Sequence, residues 1–331
     1  MKSFEWTNPT TLNEAVKLLN VPAADIDDAP RPIAGGQDLL TTMKDYTSRP
    51  ARIVNLKNIR GLNRITLNAR GLTIGALVTL TELEEHAGVR KNFPGLAEAA
   101  HSIATPQIRN LGTVGGNLCQ RPRCWYFRLE EVNCLKKGGS ECYAAKGENK
   151  YNAIIGGGPS YIVHPSDLAP VLLALGARVT AVGSTGRRVI PLDKFFTLPT
   201  ENVRRENVLK NDEIITEIFV PASPLASRST YLKFKERESL DFALASVAAA
   251  VQLGSNGSVR AARIVLGGVA PIPWRVPAAE NYLVGKKLTP DVLAEAGKIA
   301  LAEAKPLEKN AYKVPLTQTL VRRAVAKAAE V

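Results

Sequence analysis

Apolar positions along the chain switch between helical and strand periods, and the switches mark out three stretches. In LNEAVKLLN (12–20) the spacing is helical, with Asn13 and Glu14 near its start. RPIAGG (31–36) is a short strand running into a double glycine, DLLTTMKDY (38–46) a helix capped by Asp38, and ARIVNL (51–56) the next strand. Together these make a small α/β unit over 1–55. A larger unit follows over 56–221. There GLTIGALVTL (71–80) reads as strand, TELEEHAG and FPGLAEAAHSIA (93–104) as helices, and HPSDLAPVLLALGA (164–177) as a helix capped by Ser166 or Asp167. ARVTAVG and RRVIPL form a hairpin across Ser184–Gly186, and EIITEIFVP (213–221) closes the unit.

PASPLASRS (221–229) is rich in proline and serine and marks the next boundary. Beyond it, over 228–331, STYLKFKER, FALASVAAAVQL and SVRAARIVLGGV predict a three-stranded antiparallel sheet, the last two strands joined across Gly254–Gly257. TPDVLAEAGKIALAEA (289–304) and TQTLVRRAVAKAAEV (317–331) carry helical spacing. The class is α+β.

Two of the turns invite chemistry. AGGQD (Ala34, Gly35, Gly36, Gln37, Asp38) and TVGGN (Thr113, Val114, Gly115, Gly116, Asn117) each follow an apolar segment. Neither fits the spacing of a Rossmann or P-loop fingerprint. Either alone is a tight turn that needs glycine's backbone freedom. As a pair they suit a diphosphate, which takes N–H donors from more than one loop. IIGGGPS (154–160) and VLGGVA (265–270) read as structural turns.

Composition changes the picture little. The formal charge is +12, but lysines and arginines are interleaved with acids, with no basic run of the nucleic-acid type. A solvated basic surface, or a face for an acidic partner subunit, accounts for it. No apolar stretch approaches the ~20 residues of a membrane span, and MKSFEWTNPT lacks a signal-peptide pattern. Taken alone, that points to the cytoplasm. Of three histidines, His86 and His101 fall in helical segments with surface or structural roles, and His164 precedes the Ser166–Asp167 turn. No acid–base pair of the hydrolase kind is evident.

The cysteines change it a great deal. Cys119, Cys124, Cys134 and Cys142 are the only four, spaced C-x4-C-x9-C-x7-C. A reducing compartment argues against disulfides. The spacing leaves an iron–sulfur cluster, a zinc site and inert thiols open, a [4Fe–4S] cluster tolerating loose spacing best. The turn-rich surroundings suggest an inserted loop over 118–150, held together by its metal.

With these residues in place, the chain resembles the flavoprotein (medium) subunit of the molybdenum hydroxylases, the xanthine dehydrogenase and carbon monoxide dehydrogenase family. The resemblance rests on AGGQD, QIRNLGTVGGN (107–117), HPSDLAP (164–170), KFKERESLDFALASVA (233–248) and LGGVAPIPWR (266–275), in that order. The cysteine segment is similar to that of the subset with an extra iron–sulfur loop, which includes 4-hydroxybenzoyl-CoA reductase and the periplasmic aldehyde oxidoreductases.

The resemblance implies a vanillyl-oxidase-type FAD fold in two α/β subdomains, followed by a smaller C-terminal domain. It implies FAD with its pyrophosphate on Ala34–Asp38 and Thr113–Asn117. Asp167 would contact the nucleotide half, Lys233 would stand near the flavin ring, and Ile215 would be an apolar contact. Cys124, Cys134 and Cys142 match the family's loop cysteines, and a four-thiolate [4Fe–4S] cluster must then take Cys119; otherwise its fourth ligand is not sulfur. The activity implied is electron transfer within a heterotrimer, alongside a large molybdenum-cofactor subunit and a small [2Fe–2S] subunit. A partner's export signal would carry such a complex to the periplasm. Two other readings are a stand-alone flavoenzyme of the same fold and a zinc-stabilised scaffold subunit.

Overall fold

The computed structural model describes residues 1–330. The first unit holds β1 (Glu5–Thr7), α1 (Leu12–Leu19), β2 (Arg31–Ile33), α2 (Leu39–Lys44) and β3 (Arg52–Asn55). Its three strands are parallel in the order β1-β3-β2. The cap of α1 is Thr11, its Oγ1 accepting from the Glu14 N–H at 3.2 Å. Asp38 precedes α2 but makes no cap bond. Its carboxylate is taken by three arginines, described below.

The second unit begins with β4 (Ile65–Asn68) and β5 (Gly71–Gly75), then runs through α3 (Leu80–Glu85), α4 (Ala87–Asn92), α5 (Pro94–His101), α6 (Pro106–Leu111), α7 (Val114–Leu118), α8 (Trp125–Arg128) and α9 (Leu168–Ala174). It ends in β6 (Arg178–Gly183), β7 (Gly186–Pro191) and β8 (Ile214–Pro221). The strands form one antiparallel sheet in the order β4-β5-β8-β6-β7. GLTIGALVTL is strand only to Gly75, because a capping box between Thr79 and Glu82 starts α3 inside it. Of the two candidate caps of α9, Ser166 fills the role, its Oγ accepting from the Ala169 N–H at 3.0 Å.

The last unit contains β9 (Ser229–Phe234), β10 (Ala245–Leu253), β11 (Val259–Gly267), β12 (Trp274–Arg275), α10 (Pro277–Leu283), α11 (Pro290–Ala300) and α12 (Lys313–Glu330). Its sheet has four strands, not three, in the order β12-β11-β10-β9. The extra strand is a two-residue edge, too short to leave a period in the sequence. Alternate residues of β10 serve two cores: Val247, Ala249 and Val251 pack with α12, while Ala248 and Ala250 join the core of the second unit. That double burial explains the unbroken apolar run ASVAAAV.

One buried lysine locks α12 in place. The Lys313 side chain is fully buried, its Nζ donating to the carbonyls of Tyr151 at 2.9 Å and Gly268 at 2.8 Å. Burial drops its pKa from 10.5 to about 7. Between those values the unfolded chain binds the extra proton, so stability should rise as pH climbs from 7 towards 10.5. Melting temperatures across that range should show the slope in the wild type and lose it in Lys313→Met. An equal slope in both would exclude Lys313 as its source. Among the described residues no helix is long and apolar enough to cross a membrane.

Candidate functional site

The two glycine turns meet. An ideal Cβ on Gly35 would lie 1.9 Å from the Leu111 carbonyl oxygen, just ahead of Thr113–Asn117, so only glycine allows the backbones this close. Gly36 has φ +72°, the left-handed conformation that glycine tolerates best. In the second turn Val114 and Gly115 donate to the carbonyls of Val78 and Ala76, and Thr113 Oγ1 accepts from the Gly116 N–H. In the first, the N–H groups of Gly35, Gly36 and Gln37 have no acceptor among the described residues. Three adjacent free donors form an anion cradle beside Ala34 and Asp38.

The chain leaves the second turn at Leu118 and returns at His164. Ser166 Oγ donates to Asn117 Oδ1 at 2.6 Å, which closes the excursion. Asp167 lies next to that closure and is itself buried. Tyr231 OH donates to its Oδ1 at 2.5 Å, and Lys233 Nζ pairs with its Oδ2 at 2.8 Å. Beside this group opens a cleft of about 470 Å³, lined in part by Arg123, Cys124, Trp125, Asp167, Phe242 and Ser246. Ile215 is enclosed in the core of the second unit and does not line the cleft.

The excursion is tied down by charge. Arg121 pairs with Asp27 at 2.7 Å and with Glu206 at 3.2 Å, and Lys136 reaches Glu206 at 2.7 Å. Arg204 completes the group through Asp25 and Asp27. Asp38 accepts from the Arg121 N–H at 2.7 Å and pairs with Arg123 and Arg128. The segment is therefore anchored on both neighbouring units by buried ion pairs.

Its cysteines stand in two settings. Cys124, Cys134 and Cys142 each immediately precede a short helical turn. At Cys124 the sulfur accepts from Asn152 Nδ2 at 3.8 Å. Cys119 instead ends α7 and packs against the apolar core of the second unit. Burial, with Glu206 adding to it, pushes its thiol up to about 12. A helix C-terminus and a nearby carboxylate both oppose a thiolate there. Among the described residues no three His, Cys, Asp or Glu side chains are grouped to hold one metal ion. No three of the four cysteines are brought together at one point, with or without Cys119.

Residues 2–223 match the family described as the FAD binding domain in molybdopterin dehydrogenase, and 229–328 match the CO dehydrogenase flavoprotein C-terminal domain. The chain belongs to the flavoprotein subunits of the molybdenum hydroxylase family. It is 35% identical over 334 residues to the aldehyde oxidoreductase FAD-binding subunit PaoB of Escherichia coli (strain K12), covering 99% of each chain. It is 30% identical over 293 residues to the nicotinate dehydrogenase FAD-subunit of Eubacterium barkeri, covering 88% of this chain and 83% of that one. A solved carbon monoxide dehydrogenase chain from Hydrogenophaga pseudoflava superposes with TM-score 0.76 at 29% identity, covering 99% of this chain and 97% of that one.

For a molybdenum hydroxylase flavoprotein, the free donors of Gly35–Gln37 fit the FAD pyrophosphate, while the cleft beside Asp167 is lined by no residue of either glycine turn. Asp167 and Lys233, expected at the nucleotide half and near the flavin ring, have their side chains in contact at 2.8 Å. Sequence reasoning also missed Tyr231, which shares a strand face with Lys233 two residues on, and Arg121 with its acidic partners. Strand alternation around Lys233 was the available signal for Tyr231.

Proposed function

We propose that this chain is the electron-transferring FAD subunit of a multi-subunit molybdenum hydroxylase. Substrate would be oxidised at a molybdenum cofactor in a large subunit, with [2Fe–2S] centres in a small one. This chain would pass the electrons on to an acceptor. The observation that carries the reading is the row of free N–H groups at Gly35–Gln37, packed against the second glycine turn. Bound FAD supplies the redox chemistry; the protein contributes binding, orientation and electrostatics. Gly35–Gln37 would hold the pyrophosphate, with Thr113–Asn117 supporting the turn from below. Asp167 and Lys233, from two different units, would flank the flavin-proximal part. The similarity to PaoB along the full length supports an aldehyde-oxidising complex.

The cysteine segment adds an iron–sulfur proposal. Cys124, Cys134 and Cys142 would serve as thiolate ligands of a [4Fe–4S] cluster whose fourth ligand is not Cys119. Cys119 stands apart from these three at the end of α7, against the apolar core, which supports a fourth ligand other than Cys119.

The test is anaerobic purification of the full chain with its co-purifying partners. Flavin released on denaturation should match the chain in amount, with about four irons per chain. Absence of flavin overturns the function. Cys134→Ser should lose iron and keep FAD, whereas Cys119→Ser should keep both. Iron loss in Cys119→Ser would overturn the ligand assignment and leave the flavin reading standing.

A further inference from the structure

The residues facing Asp167 come from the C-terminal unit, and their placement is over-determined. Strand β9 lies along α5 of the second unit, where a Cβ on Gly95 would sit 2.9 Å from the Thr230 backbone nitrogen. Glu98, on α5, accepts from Thr230 Oγ1 at 2.7 Å and from the Tyr231 N–H at 2.8 Å. Lys327 of α12 holds the other oxygen of Glu98 at 2.7 Å. Lys233 Nζ also donates to the Ser102 carbonyl, just past the end of α5, at 3.2 Å. Tyr231 and Lys233 alternate along the strand and so present the same face. That face meets Asp167, one oxygen each.

We propose that Tyr231 is a positioning residue of the flavin site, which fixes the Asp167 carboxylate at the edge of the cleft together with Lys233. The inference rests on the reading of this site as the FAD site. With both oxygens engaged, the carboxylate cannot rotate, and its remaining lone pairs keep a set direction for a cofactor hydroxyl or ring N–H. The phenol remains a donor throughout the working pH range, because burial and the Asp167 charge hold it well above its ordinary value of 10.0. Charge-assisted bonds to a buried carboxylate are strong enough for one hydroxyl to matter.

The experiment is a double-mutant cycle on FAD affinity in the full chain. Flavin-stripped wild type, Tyr231→Phe, Asp167→Asn and the double variant are titrated with FAD, with the visible flavin spectrum recorded at saturation. Tyr231→Phe should bind FAD roughly tenfold more weakly, the loss of one charge-assisted hydrogen bond, and shift the flavin bands. In the Asp167→Asn background the same substitution should add little, because Tyr231 acts through Asp167. Fully additive effects, or an unchanged affinity and spectrum in Tyr231→Phe, would overturn the positioning role while leaving the FAD site in place. Failure of the wild type to bind FAD would instead overturn the proposed function, and this inference with it. Near-ultraviolet circular dichroism checks folding; if Tyr231→Phe does not fold, Tyr231→His is carried through the same cycle.

Discussion

Glu206→Gln is expected to destabilise the protein by about 3–5 kcal/mol, the usual cost of breaking a buried ion cluster from one side. Glu206 is buried between Arg121 and Lys136, which stand 3.2 and 2.7 Å away. An amide in its place leaves Lys136 with no acidic partner and the Arg121 guanidinium with Asp27 alone, and its NH2 turns a donor towards one of the two cations. Both cations belong to the cysteine segment, so that segment should loosen first. Urea denaturation should show the lowered midpoint, and limited proteolysis should cut within 119–150. A change below about 1 kcal/mol would mean that the cluster contributes little net stability.

The same residue gives a pH dependence of definite sign. Burial alone would raise the Glu206 carboxyl, but Arg121 and Lys136 prevail and hold it at about 2, against 4.5 unperturbed. The unfolded chain takes up the proton first, so stability is complete above pH 4.5 and is lost as pH falls towards 2. His164 acts in the same direction at higher pH. Burial lowers it from 6.5 to about 4, so stability also falls as pH drops through that range. Each shift corresponds to roughly 3 kcal/mol. In Glu206→Gln the acid transition should keep its upper part and lose its lower one.

How much of this was legible in the sequence follows from the range of each interaction. Both glycine turns were visible because local backbone geometry demands the residue type. The start of α12 was not: the helical spacing is clear only from Thr317, yet the helix begins at Lys313, with Pro315 in its first turn, where a missing N–H costs nothing. The cap role given to Asp38 failed because three arginines 83 or more positions away claim its carboxylate. Arg121 and Asp27 are 94 positions apart, and nothing local in either neighbourhood announces the pair. The contact between Asp167 and Lys233 was hidden for the same reason. Each matched a family motif separately, and only the fold shows that they touch.

Gly35→Ala should lower FAD affinity by about 100-fold or more, the equivalent of ~3 kcal/mol. The added methyl would lie 1.9 Å from the Leu111 carbonyl oxygen and 2.7 Å from its carbon. Both atoms are backbone, so no rotamer change relieves the clash. The two turns must separate, and that moves the free N–H groups of Gly35–Gln37 away from one another's alignment. Gly116→Ala provides the contrast. It lies at the exposed face of the second turn, and its Cβ would meet only Thr113 Oγ1 at 3.0 Å. The fold should accept that methyl with little change in melting temperature. If FAD affinity nevertheless falls in Gly116→Ala, the methyl blocks the approach of the cofactor itself, and the second turn lines the pyrophosphate directly. If Gly35→Ala binds FAD within threefold of wild type, the free donors of the first turn do not hold the cofactor. The pair of variants thus separates a glycine needed for the meeting of two backbones from one needed for the approach of a ligand.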